Sequence, residues 1–326
     1  MKIVLLTFSI TGNTAHVADS ISKTLSKYGH SVQLFDAVSL VKLLGLAQKV
    51  PELKHQPAPT GHEVEILSLL SAIKEADAFG VGSYVFNFFP APGVLELLDD
   101  KWMPPELFES VKMFFTFTTH GSLPHPVGDI LATCISKKNP AMLYAGNINV
   151  RVPENFVPLQ PHKPYYDIWD PVEIKLMEEK IDRLRVFLSF PSSSVQFTHV
   201  DNPDVKRYIS PSTMMGAPLL DKEKCKKCGL CVMKCPYNLI QISPDIEDGF
   251  PVFQRDGCYG CGRCFNSCRQ EAINFTLFDS KNRSRYCGPV FPGEKRALDG
   301  KESGIEYTPI PDVDNLLKRI QFEVKP

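Results

Sequence analysis

The chain has 326 residues, 43% of them hydrophobic, with 36 Lys and Arg against 37 Asp and Glu. These values suit about two packed domains and exclude a wholly disordered or collagen-like chain. A formal charge of −1 gives nucleic acid no electrostatic hold, so nucleic acid is not an expected partner.

The chain opens on an apolar run, Ile3 to Leu6, too short for a secretion signal and leading straight into a Gly/Thr/Asn loop. No stretch approaches the roughly 18 apolar residues of a membrane span, and the expected location is cytoplasmic. The first half alternates β-like apolar runs with helical periods, the pattern of parallel strands buried on both faces and joined by crossover helices. Strands are predicted near Lys2 to Phe8, Ser31 to Phe35, Ala78 to Ser83, Val111 to Phe117 and Ala141 to Ala145. Between the first two, Val17, Ile21, Leu25 and Tyr28 share a helical face and Gly29 supplies a C-cap. Further helices fit His62 to Glu75, Gly93 to Asp100 and Val127 to Lys137. Five strands with intervening helices predict an α/β, doubly wound parallel sheet.

Residues 39–61 exceed an ordinary αβ connection, and Leu40, Val41, Leu43, Leu44 and Leu46 suggest a short extra helix packed on the domain, with a lid or dimer contact as the other reading. From Arg151 to Pro171 the prolines disfavour regular helix and predict an extended connector. Asp170 and Glu173 then have capping-box-like spacing, opening a helix with Ile174, Met177, Ile181, Leu184 and Leu188 on one face and Pro191 at its end. The expected domains are 1–190, a linker over 191–218, a second domain over 219–278 and a tail over 279–326, in which no pattern is legible.

Eight of the ten cysteines fall between Cys225 and Cys268, a density that points to metal rather than disulfides. Cys225, Cys228, Cys231 and Cys235 are spaced CxxCxxCxxxC and followed by Pro236; Cys258, Cys261, Cys264 and Cys268 repeat the spacing 33 residues on. The repeat extends past the ligands, since Cys235-Pro-Tyr-Asn-Leu-Ile-Gln-Ile aligns with Cys268-Arg-Gln-Glu-Ala-Ile-Asn-Phe. A pair of zinc sites would show separated CxxC pairs instead. Residues 221–276 therefore resemble bacterial-type two-[4Fe-4S] ferredoxin domains, small α+β modules. The resemblance implies one cluster on Cys225, Cys228, Cys231 and Cys268 and a second on Cys258, Cys261, Cys264 and Cys235, because the cysteine after the longer gap ligates the other cluster. Arg269 departs from the family, which often has proline there; its charge is expected to raise that cluster's potential. Cys134 and Cys287 lie outside the pattern and read as small apolar side chains.

The first strand ends in Thr7-Phe8-Ser9-Ile10-Thr11-Gly12-Asn13-Thr14, ahead of the first helix. Small hydroxyl and amide side chains at a helix N-terminus offer donors to a phosphate, and the loop lacks the GK[ST] of a P-loop and the GxGxxG of a dinucleotide fold. The stretch resembles the flavodoxin phosphate loop, SxTGNT, and the match extends to Ala18 and Ile21. That resemblance implies FMN as cofactor, its phosphate held by Ser9, Thr11, Gly12, Asn13 and Thr14, and five strands in the order 2-1-3-4-5. It also implies that the isoalloxazine lies between two later loops. One is Ser83-Tyr84-Val85-Phe86-Asn87-Phe88-Phe89-Pro90, with Ser83, Tyr84, Phe86 and Asn87 as candidate contacts and Phe88 and Phe89 read as core. The other is Thr118, Thr119, His120, Gly121 and Ser122, where His120 reads as a loop polar group or a proton donor. Asn147 to Val157 is similar to the segment that leaves the flavodoxin module in flavodoxin-ferredoxin fusion proteins of anaerobic microbes.

The resemblance to such fusions leads to an expected electron-transfer protein that relays electrons between FMN and two [4Fe-4S] clusters, with a redox protein as donor and another as acceptor. The alternative is an FMN-dependent reductase of a small molecule fed through its own clusters; a redox sensor lacks any recognisable output domain. From Asp221 to Phe275 eight basic residues face seven acidic ones, so the lysines near Cys225 read as a solvated face or as a dock for an acidic partner. No NAD(P)H motif is visible, and a homo-oligomer is left open.

Overall fold

The computed structural model describes residues 1–46, 63–86, 89–121, 125–153, 168–200, 216–242, 247–255, 257–277, 285, 286, 288, 289, 291, 296–298 and 301–303. In chain order the first part forms β1 (Lys2–Phe8), α1 (Asn13–Lys27), β2 (Ser31–Asp36), α2 (Ala37–Leu44), α3 (Glu63–Lys74), β3 (Ala78–Phe86) and a two-residue β4 (Phe89–Pro90). It continues with α4 (Val94–Leu97), β5 (Met113–His120), α5 (Val127–Ser136), β6 (Leu143–Arg151) and α6 (Pro171–Ser189). The parallel strands lie in the order β2-β1-β3-β5-β6, with β4 antiparallel to β3. Counting the parallel strands alone, this is the 2-1-3-4-5 order of the flavodoxin-like fold.

Alternation along β1 sorts its side chains to two cores. Ile3 and Leu5 join Val17, Ile21 and Leu25 of α1 and Met177, Ile181, Leu184 and Leu188 of α6 on one face. Val4, Leu6 and Phe8 meet α2, α3 and α5 on the other. Each fully buried aliphatic side chain contributes roughly 1.5–3 kcal/mol of transfer free energy. Tyr28, read from the sequence as part of the buried face of α1, is instead its C-cap and 53% exposed; its backbone has left the helix, so its ring no longer follows the stripe. Asp170 caps α6 by accepting from the Val172 N–H at 2.8 Å. Its expected box partner Glu173 is turned to Arg151 at 3.4 Å.

Two strands run further than expected. β3 continues through Tyr84, Val85 and Phe86, and β5 through Thr118, Thr119 and His120. Ser83 pairs with Thr118 and Tyr84 with Thr119, because β-branched and aromatic residues keep a ladder going where hydroxyl-rich sequence reads as loop. β5 begins at Met113 rather than Val111, and β6 covers Leu143–Arg151 rather than Ala141–Ala145. The extra helix appears as α2, with Ala37, Val38, Leu40 and Val41 buried; residues 47–61 of that insertion, and 154–167 of the proline-rich connector, lie outside the described residues.

The second part forms β7 (Pro218–Leu220), α7 (Leu230–Lys234), β8 (Ile240–Gln241), β9 (Val252–Phe253), α8 (Arg263–Ser267) and β10 (Ile273–Phe275). β7 pairs with β10 and β8 with β9, both antiparallel, giving a small α+β module. Its Tyr237, Leu239, Ile240, Phe265, Ile273 and Phe275 belong to the same core as α2 and α3 of the first part. Among the described residues no helix is long and apolar enough to cross a membrane.

Gly82 makes room for an aromatic of the next strand: a Cβ there would lie 1.9 Å from Phe117 Cε2. Gly82→Ala should therefore destabilise the sheet by about 1–3 kcal/mol, read as a lowered urea midpoint. Asp77 accepts the Lys2 backbone N–H at 2.9 Å and the Lys112 ammonium at 3.3 Å. The Lys2 bond first, and Lys112 after it, hold its carboxyl below the ordinary value of 3.8 despite partial burial. A depressed folded-state value means the contribution is present above that ordinary value and is lost as pH falls. Asp77→Asn should flatten that part of the acid limb in a stability profile against pH.

Candidate functional site

The loop between β1 and α1 closes on itself, with the Gly12 N–H donating to Ser9 Oγ at 3.2 Å and Gly12 in the left-handed region at φ 98°. That turn presents the first N–H groups of α1, which have no partner within the helix. Ser9, Thr11 and Gly12 line a cavity, whereas Asn13 and Thr14 are buried with their side chains turned inward. Thr14 Oγ1 meets Thr119 Oγ1 at 2.8 Å, tying the loop to the end of β5. Asn13 Oδ1 accepts from Trp169 Nε1 at 3.1 Å and from the Tyr286 hydroxyl. Two predicted phosphate residues thus brace the loop from beneath through their side chains and offer only backbone N–H groups outward.

The two expected flavin-flanking stretches meet side by side at the ends of β3 and β5. Ser83 Oγ is fully buried, accepting from the Ala91 N–H and donating to the Tyr84 carbonyl, both at 3.0 Å. Thr118 Oγ1 accepts from Asn147 Nδ2 at 3.2 Å, and the His120 carbonyl accepts the Val152 N–H at 2.9 Å. Tyr84 and Gly121 are half-buried, Phe86 is buried, and Phe89 is half-buried in β4. Asn87, Phe88 and Ser122 lie outside the described residues. The ladder therefore immobilises Ser83, Thr118 and Thr119 at the strand ends, and among the described residues neither stretch lines the cavity that Ser9, Thr11 and Gly12 share.

The cysteine module shows its 33-residue repeat in the backbone. Gly229 and Gly262 cap α7 and α8 at φ 71° and 70°. Lys227 and Gly260 both turn left-handed, as do Asn238 and Glu271. Each turn aims an N–H at a sulfur: Lys227 to Cys225, Gly260 to Cys258, Leu239 to Cys235 and Ala272 to Cys268, all at 3.4 Å. Such bonds stabilise thiolate over thiol.

The cysteine sulfurs are electrostatic neighbours across the repeat, Cys231 with Cys268 and Cys264 with both Cys235 and Cys231. Burial pushes the Cys231 thiol up to about 11, and Cys268, Cys225 and Cys228 push it the same way. Burial likewise carries Cys261 to about 12 and Cys264 well above the ordinary range, with Cys258 and Cys235 as charged neighbours of both. Buried thiolates in such number need a positive group to share. Among the described residues no three His, Cys, Asp or Glu side chains are placed to hold a single metal ion. Cys134 stands apart, half-buried, its thiol raised by that burial; Cys287 lies outside the described residues.

Several residues that the sequence reading missed join the two parts. Lys42 of α2 donates to the carbonyls of Val232 and Met233 at 3.2 and 2.9 Å, and Asn238 Nδ2 donates to the Lys42 carbonyl at 2.9 Å. Rings run from β1 and β3 to the cysteines: Phe8 to Tyr84 at 6.0 Å between centroids, Tyr84 to Phe86 at 5.9 Å, Phe86 to Tyr259 at 6.5 Å and Tyr259 to Tyr237 at 4.8 Å. Tyr237 and Tyr259 sit between cluster-motif cysteines in the sequence, a placement that could have singled them out. Thr7 Oγ1, buried in the cavity wall without a hydrogen-bond partner, had no such signal beyond its place before the loop. Asn13→Ala would strip two buried donors, the Trp169 indole and the Tyr286 hydroxyl, of their acceptor. It should cost about 2–4 kcal/mol, measured by urea unfolding.

Residues 224–272 match the 4Fe-4S dicluster domain family. No curated protein matches the chain. Among solved structures, a flavodoxin from the domain Archaea aligns at 17% identity over 57% of this chain and 98% of its own, TM-score 0.34. An oxidoreductase from Corynebacterium diphtheriae aligns at 16% over 59% of this chain and 100% of its own, TM-score 0.39. The rubredoxin oxygen:oxidoreductase of the anaerobe Desulfovibrio gigas aligns at 14% over 57% of this chain, TM-score 0.38, and the alignment spans only 36% of that protein. The fold assignment rests on the strand order, and the cysteine module on the family match: the chain joins a flavodoxin-like α/β domain to a 4Fe-4S dicluster domain.

Proposed function

We propose that the chain transfers electrons between FMN and two [4Fe-4S] clusters and exchanges them with separate protein partners, one a donor and one an acceptor. The observation that carries this reading is the series of ring contacts from Phe8 and Tyr84 through Phe86 and Tyr259 to Tyr237, two residues after Cys235. It joins the flavin-flanking strand to a cysteine quartet within one chain. When bound, FMN exchanges one or two electrons and each cluster exchanges one, so pair chemistry can be divided into single steps.

Ser9, Thr11, Gly12 and the N–H groups of Asn13 and Thr14 hold the phosphate in this proposal. Tyr84, Phe86, Asn87, His120, Gly121 and Ser122 surround the ring, backed by the buried Ser83, Thr118 and Thr119. One cluster belongs to Cys225, Cys228, Cys231 and Cys268, the other to Cys258, Cys261, Cys264 and Cys235, a division supported by the spacing of the two motifs. The functional units are residues 1–190 and 219–278, linked by 191–218. Two stretches outside them still serve the assembly. Within the linker the Val195 N–H bonds to the Tyr144 carbonyl at 2.8 Å, and within the tail Tyr286 reaches Asn13.

An anaerobic reductive titration of the reconstituted protein, followed by absorbance and EPR, tests the reading. It should count about eight irons, about eight sulfides and about one FMN per chain, reducing in linked order. Cys258→Ala should retain only about half the iron and one cluster signal. Zinc in place of iron, or failure to retain flavin, would overturn the proposal.

A further inference from the structure

We propose that the dicluster domain completes the phosphate site of the flavodoxin-like domain, with Lys234, Arg263 and Arg269 supplying positive charge that the Ser9–Thr14 loop lacks. The inference rests on the FMN reading and adds to it the source of the phosphate's counter-charge.

A cavity of about 1160 Å³ opens between the two domains. One wall is the phosphate loop, with Thr7, Ser9, Thr11 and Gly12; Lys234, Arg263 and Arg269 line the same cavity from the dicluster side. The loop itself holds no Lys or Arg. Lys234 ends α7, Arg263 opens α8 and Arg269 follows Cys268, so the three come from separate turns of the module and reach one space. None of them is engaged in an ion pair among the described residues.

The other charged side chains on the cavity have employment. Asp36 caps α2, accepting from the Val38 N–H at 2.9 Å and the Ser39 hydroxyl at 2.8 Å. Arg285 donates to the Phe265 and Ile273 carbonyls and stacks over the Phe265 ring at 3.8 Å. With Lys234, Arg263, Arg269 and Arg285 against Asp36 and Glu271, the lining carries a formal excess of two positive charges. On the loop side, the buried Thr7 hydroxyl without a partner is a donor of the kind a phosphate oxygen accepts. Charge-assisted contacts to phosphate are about twice as strong as neutral ones, and a cleft shared by two domains strengthens them by excluding water. Binding of the phosphate and docking of the domains are then reciprocally linked.

Quenching of flavin fluorescence on binding to the flavin-stripped, cluster-loaded full chain tests this, with FMN and riboflavin compared because riboflavin lacks the phosphate. In the wild type, raising salt from about 20 mM to about 500 mM should weaken FMN several-fold and leave riboflavin unchanged. The variant K234Q/R263Q/R269Q should bind FMN about tenfold or more weakly, with riboflavin unchanged and the salt dependence gone. Because Lys234, Arg263 and Arg269 each adjoin a cluster cysteine, iron content is counted in every variant, and K234Q alone should show a smaller loss of the same kind at full iron content. An FMN-to-riboflavin preference that is insensitive both to salt and to these substitutions would overturn the inference. A wild-type chain that binds neither flavin would instead overturn the FMN reading on which it rests.

Discussion

A module of about 50 residues, eight of them cysteines, has little left with which to build a core. The dicluster domain meets that constraint by sharing its neighbour's: Tyr237, Leu239, Ile240, Phe265, Ile273 and Phe275 belong to the same apolar cluster as Val4, Leu6 and Phe8. Most of the inter-domain geometry follows from that single dependence. Helix α2 acquires a role as the docking surface, and Lys42 satisfies carbonyls at the end of α7. Burial lowers the Lys42 pKa, while the neighbouring Cys235 pulls it back up. The aromatic contacts exist because the module must bury rings against something.

The internal repeat of the dicluster domain is maintained in backbone conformation more faithfully than in side chains. Left-handed turns recur at Lys227 and Gly260 and at Asn238 and Glu271, so non-glycine residues accept a strained φ where an N–H must point at sulfur. The surroundings of the two halves differ sharply. Cys228 is exposed where its counterpart Cys261 is half-buried, and Cys235 is buried beside Lys42 where its counterpart Cys268 is half-buried. A symmetric duplication thus becomes an asymmetric device, with one face toward solvent and one toward the sheet.

What could be read from the sequence was local or periodic. The first strand, the α6 stripe of Met177, Ile181, Leu184 and Leu188, and the cysteine spacing each announce themselves within a few residues of chain. Strand ends were harder, since Thr118 and Thr119 have loop-like polarity and extend β5 only because Ser83 and Tyr84 lie opposite them. The inward turn of Asn13 depends on Trp169 and Tyr286, partners that no local pattern reveals. The cationic wall facing the loop between β1 and α1 is likewise created by docking: Lys234, Arg263 and Arg269 look like ordinary surface charges until the domains are placed together.

The Tyr286–Asn13 contact spans 273 residues of sequence, and Pro289 lies close over Gly12, 3.0 Å from where a Cβ would stand. On the ribosome, elongation at 5–20 residues per second separates synthesis of the loop from synthesis of this strap by roughly 14 to 55 s. The loop between β1 and α1 therefore emerges without its last covering segment, and all eight cysteines from Cys225 to Cys268 are translated before that segment follows. Biosynthesis gives the nascent chain an interval in which small groups can enter while the covering strap has yet to be made.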